Sequence, residues 1–161
     1  MKILVTGVAG FTGSHTATRL LDRGDKVVGL DIINNYYDPL LREARIARLS
    51  KNAGFRFVKL DLADRSSMSE LLRRGGFARV VHLGAQAGVW YSIENPLAYV
   101  DSNLIGMANI LEGCRYGGVE HLAYASSSSV YGAKSKIPFS VHQSVDHPIS
   151  LSMQLRRKPT N

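Results

Sequence analysis

The sequence has a single cysteine, Cys114, so no internal disulfide can form, and this usage fits a reducing compartment. No apolar run reaches the roughly 20 residues that a membrane span needs. The opening Met1-Lys2-Ile3-Leu4-Val5-Thr6-Gly7 is interrupted too early to act as a signal h-region. These absences imply a cytoplasmic protein without a membrane partner. A basic stripe with interleaved aromatics is also missing. The net charge is +7, but residues 152–161 hold three of the positive charges and no acid, and the other Lys and Arg are scattered. Nucleic acid is therefore not expected as a partner. Low complexity is confined to residues 126–129.

What remains is a chain of 161 residues, 45% hydrophobic and 20% charged, the balance of one globular domain. Residues 2–7, 26–31, 55–61, 79–84 and 120–126 are short, nearly continuous apolar runs that read as strands. Between them, 11–23, 39–50, 64–73 and 96–116 carry helical spacing, with Asp64 a candidate N-cap. The expected inner faces are Ala17, Leu20 and Leu21, then Leu40, Leu41, Ala44, Ala47 and Leu49, and finally Leu104, Met107, Leu111 and Cys114. Strands without alternation, separated by helices, predict an α/β fold: a doubly wound parallel Rossmann sheet of about five strands. No periodicity is legible from Ala133 onward.

The first strand runs into Gly7-Val8-Ala9-Gly10-Phe11-Thr12-Gly13, a Gly-x-x-Gly-x-x-Gly turn that opens a helix. One glycine permits the tight turn, one lets backbone N–H groups approach a pyrophosphate, and one lets helix and strand pack closely. Gly7, Gly10 and Gly13, with Phe11 starting the helix, are assigned to a dinucleotide. Asp31 ends the second strand, 18 residues beyond Gly13. Its carboxylate suits both ribose hydroxyls and repels a 2′-phosphate, so NAD is expected over NADP. Asp61 and Leu62 end the third strand at the same edge. Asp61 either accepts from the adenine amino group or caps the next helix. Leu83 and Ala85 belong to a stretch whose small residues, Gly84-Ala85-Gln86-Ala87, let a cofactor backbone pass. No metal ligands are assigned.

These motifs, with His82-Leu83-Gly84-Ala85-Gln86-Ala87 and Ala125-Ser126-Ser127-Ser128-Ser129-Val130-Tyr131-Gly132, resemble the extended short-chain dehydrogenase/reductases. Within these, the chain is most similar to the NAD-dependent nucleotide-sugar epimerases. Residues 31–38 and 88–96 resemble the UDP-glucuronate 4-epimerases more closely still. The resemblance covers residues 1 to about 151 and implies a sheet incomplete relative to the family. It implies oxidation of a sugar hydroxyl at C4 by tightly held NAD, turnover of the keto sugar and return of the hydride. It also implies a nucleotide-sugar substrate and allows a homodimer. Ser127 matches the hydroxyl that holds the reacting oxygen, and Ser128 and Ser129 match substrate or backbone contacts; a polar strand end is the other reading of the run. Asn103 matches an asparagine kept near the site, unless it is a helix-surface amide. Trp90 stands where close members usually have Arg, and Gly84 where they have Ala.

The base in this family is a tyrosine in Tyr-x-x-x-Lys, and none occurs after Ser127. The family commonly continues Tyr-Ala-Ala-Thr-Lys-Lys-Ala-Asn-Glu-Leu-Met after His-Pro-Ile-Ser-Leu. With suitable synonymous codons, that peptide read from its second base gives Met-Gln-Leu-Arg-Arg-Lys-Pro-Thr-Asn and a stop, the sequence of residues 153–161. Residues 1–151 are thus expected to form the Rossmann domain, and 152–161 an out-of-frame tail. The expected function is the NAD-binding portion of a 4-epimerase, inactive as this chain. The alternative is a stand-alone NAD-binding sensor or interaction module.

Overall fold

The structure, a computed structural model, describes residues 1–36, 38–131 and 138–142, with backbone only for Val89 and Ser129. Its strands are β1 (Lys2–Thr6), β2 (Lys26–Asp31), β3 (Phe55–Lys59), β4 (Arg79–His82) and β5 (His121–Tyr124). All neighbours are parallel, in the order β3-β2-β1-β4-β5. Helices α1 (Phe11–Asp22), α2 (Pro39–Leu49), α3 (Arg65–Gly75), α4 (Val89–Glu94), α5 (Pro96–Tyr99) and α6 (Gly106–Gly117) connect them. This is the expected doubly wound sheet.

The central strands are apolar throughout because both faces are covered. On one face Ile3, Val5 and Val27 pack with Ala17 and Leu21 of α1 and Ile46 and Leu49 of α2. On the other, Leu4, Val28, Leu30 and Val80 pack with Met68 and Leu72 of α3 and Ile110 and Cys114 of α6. Only Leu122 of β5 joins this core; His121, Ala123 and Tyr124 are exposed.

Several boundaries differ from expectation. β1 stops at Thr6 because Gly7, at φ +69°, turns the chain out of the strand. β3 stops at Lys59, after which the Asp61 carboxylate accepts from the Ala63 N–H and bends the chain. The helix expected over 96–116 is three pieces: α5, a π-helical stretch Val100–Ile105, and α6. α4 was not foreseen. Its six residues follow Gly88, whose φ of +100° breaks the pattern before it.

Two helix faces also differ. On α2, Leu40 and Leu41 are exposed while Ile46 and Leu49 are buried. On α6 the inner face is Gly106, Asn109, Ile110, Gly113 and the expected Cys114, while Leu111, and Leu104 in the π-helical stretch before α6, are exposed. The glycines let α6 lie so close to α3 that a leucine-lined inner face has no room: a Cβ on Gly113 would collide with Leu72.

Candidate functional site

The strand order reverses at β1, whose neighbours β2 and β4 are reached by connections running to opposite sides. A crevice must open there, at the carboxyl ends of the strands. It encloses about 800 Å³ and is lined by the glycine-rich turn, Asp31, Ile32, Asn34, Tyr36, Arg42 and Arg45, by Asp61 and Leu62, and by residues 83–87 and Tyr91.

The turn is built for a close approach. At Gly7 a Cβ would lie 2.7 Å from the Gly84 nitrogen, so this glycine lets β1's exit press against β4's. At Gly13 a Cβ would run into the Gly7 carbonyl, which fixes how closely α1 abuts the turn. Gly10 differs: its Cβ would meet only the Gly7 oxygen, at 3.1 Å. That contact is tight but is relieved by a shift of a few tenths of an ångström, and a side chain there would extend into the crevice that Gly10 lines. Gly10 is also the N-cap of the 12-residue α1, with no side-chain cap and no acid in the first turn. The helix N-terminus thus offers its first N–H groups and the positive end of its dipole to an anion.

Asp31 is buried at the end of β2. Its Oδ2 accepts from the Ala9 N–H at 3.0 Å and its Oδ1 from the Ile33 N–H at 3.0 Å. The carboxylate therefore ties the glycine-rich turn to the loop after β2. Each oxygen keeps a lone pair for a further donor. Arg42 lies 4.0 Å from Oδ1 and binds the Asn34 carbonyl and side chain, while Arg45 donates to the Ala9 carbonyl.

Asp61 lines the crevice and does not cap the next helix. The cap of α3 is Asp64, which accepts from the Ser67 N–H. The Leu62 side chain lies in the core beneath Gly84, and its carbonyl accepts from Asn109. Leu83 and Ala85 line the β4 side together with Gly84. Asn103 is buried, which removes the surface-amide reading. Its Oδ1 accepts from the Gln86 N–H at 2.8 Å and its Nδ2 donates to the Gln86 carbonyl at 2.9 Å. It stands behind the crevice wall and holds residues 86–87 in place. Ser127 and Ser128 follow β5 at the same sheet edge, with the Ser127 carbonyl accepting from Val130, and neither lines the crevice. The side chain of Ser129 and all of residues 152–161 lie outside the described residues.

Sequence reasoning missed Thr6, His82, Arg42 and Arg45. Thr6 Oγ1 accepts from the Leu83 and Gly84 N–H groups and contacts His82 Nδ1 at 2.7 Å, joining β1 to β4 directly below the crevice. The signal available was His82 itself, a titratable residue inside an apolar strand. Burial pushes its pKa down to about 4.

A family model described as GDP-mannose 4,6 dehydratase matches residues 4–150. Among curated relatives, an uncharacterized 37.6 kDa protein of Escherichia coli O111:H- is 56% identical over 151 residues, covering 94% of this chain and 45% of that protein. UDP-glucuronate 4-epimerase 1 of Arabidopsis thaliana is 48% identical over 152 residues, covering 94% and 35%. Among solved structures, a UDP-glucuronic acid 4-epimerase from Bacillus cereus, in complex with UDP-glucuronic acid and NAD, superposes with a TM-score of 0.87 at 34% identity, covering 97% of this chain and 49% of that one. The chain spans about half the length, or less, of the relatives it matches.

Proposed function

This chain belongs to the family described as GDP-mannose 4,6 dehydratase, and from that premise we propose that it is the NAD-holding portion of a nucleotide-sugar 4-epimerase. The observation that carries the reading is the uncapped N-terminus of α1, facing a crevice that Gly10 leaves open and Asp31 borders. When bound, NAD supplies the hydride acceptor and donor for a sugar carbon. The α1 N–H groups hold the pyrophosphate, Asp31 accepts from the adenosine ribose, and Asp61 from the adenine amino group. Gly84 and Ala85, beside Leu83, leave the wall low enough for the cofactor to pass. Ser127 would hold the reacting sugar oxygen, with Ser128 and Ser129 beside it. The likeness to UDP-glucuronate 4-epimerases supports a UDP-sugar as the substrate class.

We infer further that this chain binds the cofactor without turning over a sugar nucleotide. No Tyr-x-x-x-Lys follows Ser127, and general-base catalysis contributes about 10²- to 10⁴-fold. We place it in the cytoplasm, in keeping with its single cysteine. No helix among the described residues is long and apolar enough to cross a membrane.

Calorimetric titration with NAD and NADP tests the cofactor. Gly10 has an extended backbone that valine adopts, and its Cβ would meet only the Gly7 oxygen, so Gly10→Val should fold after a small shift while its branches fill the crevice. The unmodified chain should bind NAD more tightly than NADP, and Gly10→Val should lose at least tenfold in affinity with an unchanged circular dichroism spectrum. An absence of NAD binding in the unmodified chain, or equal binding by the variant, would overturn the assignment.

A further inference from the structure

The loops after β2 and β4 flank the glycine-rich turn on opposite sides, because β1 lies between those strands. They can meet only by reaching across the crevice, and they do. The Tyr36 ring, from the β2 side, packs on the Tyr91 ring of α4 with centroids 4.7 Å apart. Both line the crevice. The Tyr36 hydroxyl also rests against Gly88, where any Cβ would collide with it, and Tyr99 donates to the Gly88 carbonyl from beneath.

Each half of this bridge is anchored on its own side. Asn34 accepts from the Tyr36 N–H and from Arg42, and the neighbouring Ile33 sits at φ +52°, strained for a β-branched residue and held there by Asp31 Oδ1. Tyr91 takes a hydrogen bond from Asn95 and faces Tyr99 at 6.3 Å. Two loops, each braced on its own side, thus meet across the crevice through the Tyr36–Tyr91 ring contact and the Tyr36 hydroxyl beside Gly88.

We propose that Tyr36 and Tyr91 close over the crevice as a strap that retains the dinucleotide and sets its rate of release. The inference rests on the NAD reading above and adds a role for residues that the fingerprint does not include. A ligand seated on the α1 N-terminus lies between the two loops, so leaving requires the tyrosine pair to part. An aromatic pair of this kind contributes a barrier equivalent to roughly two- to tenfold in rate.

The test uses stopped-flow release of NADH, chased with excess NAD, in the full chain. Tyr36→Ala should release NADH roughly two- to tenfold faster. Tyr36→Phe, which keeps the ring, should release it more slowly than Tyr36→Ala does. Urea midpoints should stay close among the three, because Tyr36 is not a core residue. Hydrogen exchange of residues 86–95 without cofactor supplies a second readout, and it should quicken in Tyr36→Ala although the substitution lies on the other loop. Binding with unchanged release, or unchanged exchange across the gap, overturns the strap alone. Failure of NADH to bind the unmodified chain overturns the cofactor reading and the strap's purpose with it.

Discussion

Thr6 has one hydroxyl proton, and its surroundings decide where it goes. Two backbone N–H groups already donate to Oγ1, from Leu83 and Gly84. The hydroxyl must therefore donate to His82 Nδ1, which makes His82 neutral, with its proton on Nε2. Burial holds the folded-state pKa at about 4, against an ordinary value of 6.5. The unfolded chain binds the extra proton first, so stability is full above pH 6.5 and falls as the pH drops toward 4. Urea unfolding at pH 7.5 and 4.5 should differ by about 2 to 3 kcal/mol from this residue. His82→Gln should flatten that slope while lowering stability at pH 7.5. Asp25, whose carboxyl is held below its usual value by hydrogen bonds from the chain's amino terminus and Arg23, loses its contribution only at lower pH. An undiminished slope in the variant would show that the protonated imidazole is accommodated.

At the scale of elements, α6 lies against α3 because small residues let it. A Cβ on Gly117 would sit 2.5 Å from the Leu72 carbonyl oxygen, which is backbone and cannot swing aside. Alanine is intrinsically about 1 kcal/mol better in a helix than glycine, yet overpacking costs about 1 to 3 kcal/mol. Gly117→Ala should therefore destabilise the protein in denaturant titrations; a stabilised variant would mean that the helices slide apart without cost. The same packing explains what the sequence could not reveal. Strand positions and their parallel direction were legible, because nearly continuous apolar runs such as Lys2–Thr6 separated by helices have one reading. The inner face of α6 was legible only at Cys114, because apolar periodicity groups it with Leu104 and Leu111, whereas its partners in the contact are Ile110 and Gly113. Periodicity scores hydrophobicity, and close helix packing selects for smallness. The π-helical stretch around Asn103 was hidden likewise, since it holds a tertiary hydrogen-bond pair with Gln86 that apolar periodicity does not register.

For the whole molecule, the glycine fingerprint and Asp31 were readable because backbone geometry demands those residue types in sequence order. The crevice's other walls, Arg42, Arg45, Tyr36 and Tyr91, come from separate segments that only the sheet's reversal at β1 brings together. A ligand in such a crevice binds the folded chain alone, because the α1 N-terminus, Asp31 and the β4 exit converge only when β2, β1 and β4 are paired. NAD should then raise stability by about 2.7 kcal/mol at a hundred times its dissociation constant. At about 2 to 4 °C per kcal/mol for a chain of this size, the melting temperature should rise by roughly 5 to 10 °C. Asp31→Ala should lower the starting melting temperature, because the Ala9 and Ile33 N–H groups lose their acceptor at about 1 to 3 kcal/mol per buried group left unpaired. It should also reduce the increment that NAD adds, since in the proposed reading one residue serves both the loop and the ribose. A variant that melts lower yet gains the full increment would separate those two roles and move the ribose elsewhere in the crevice.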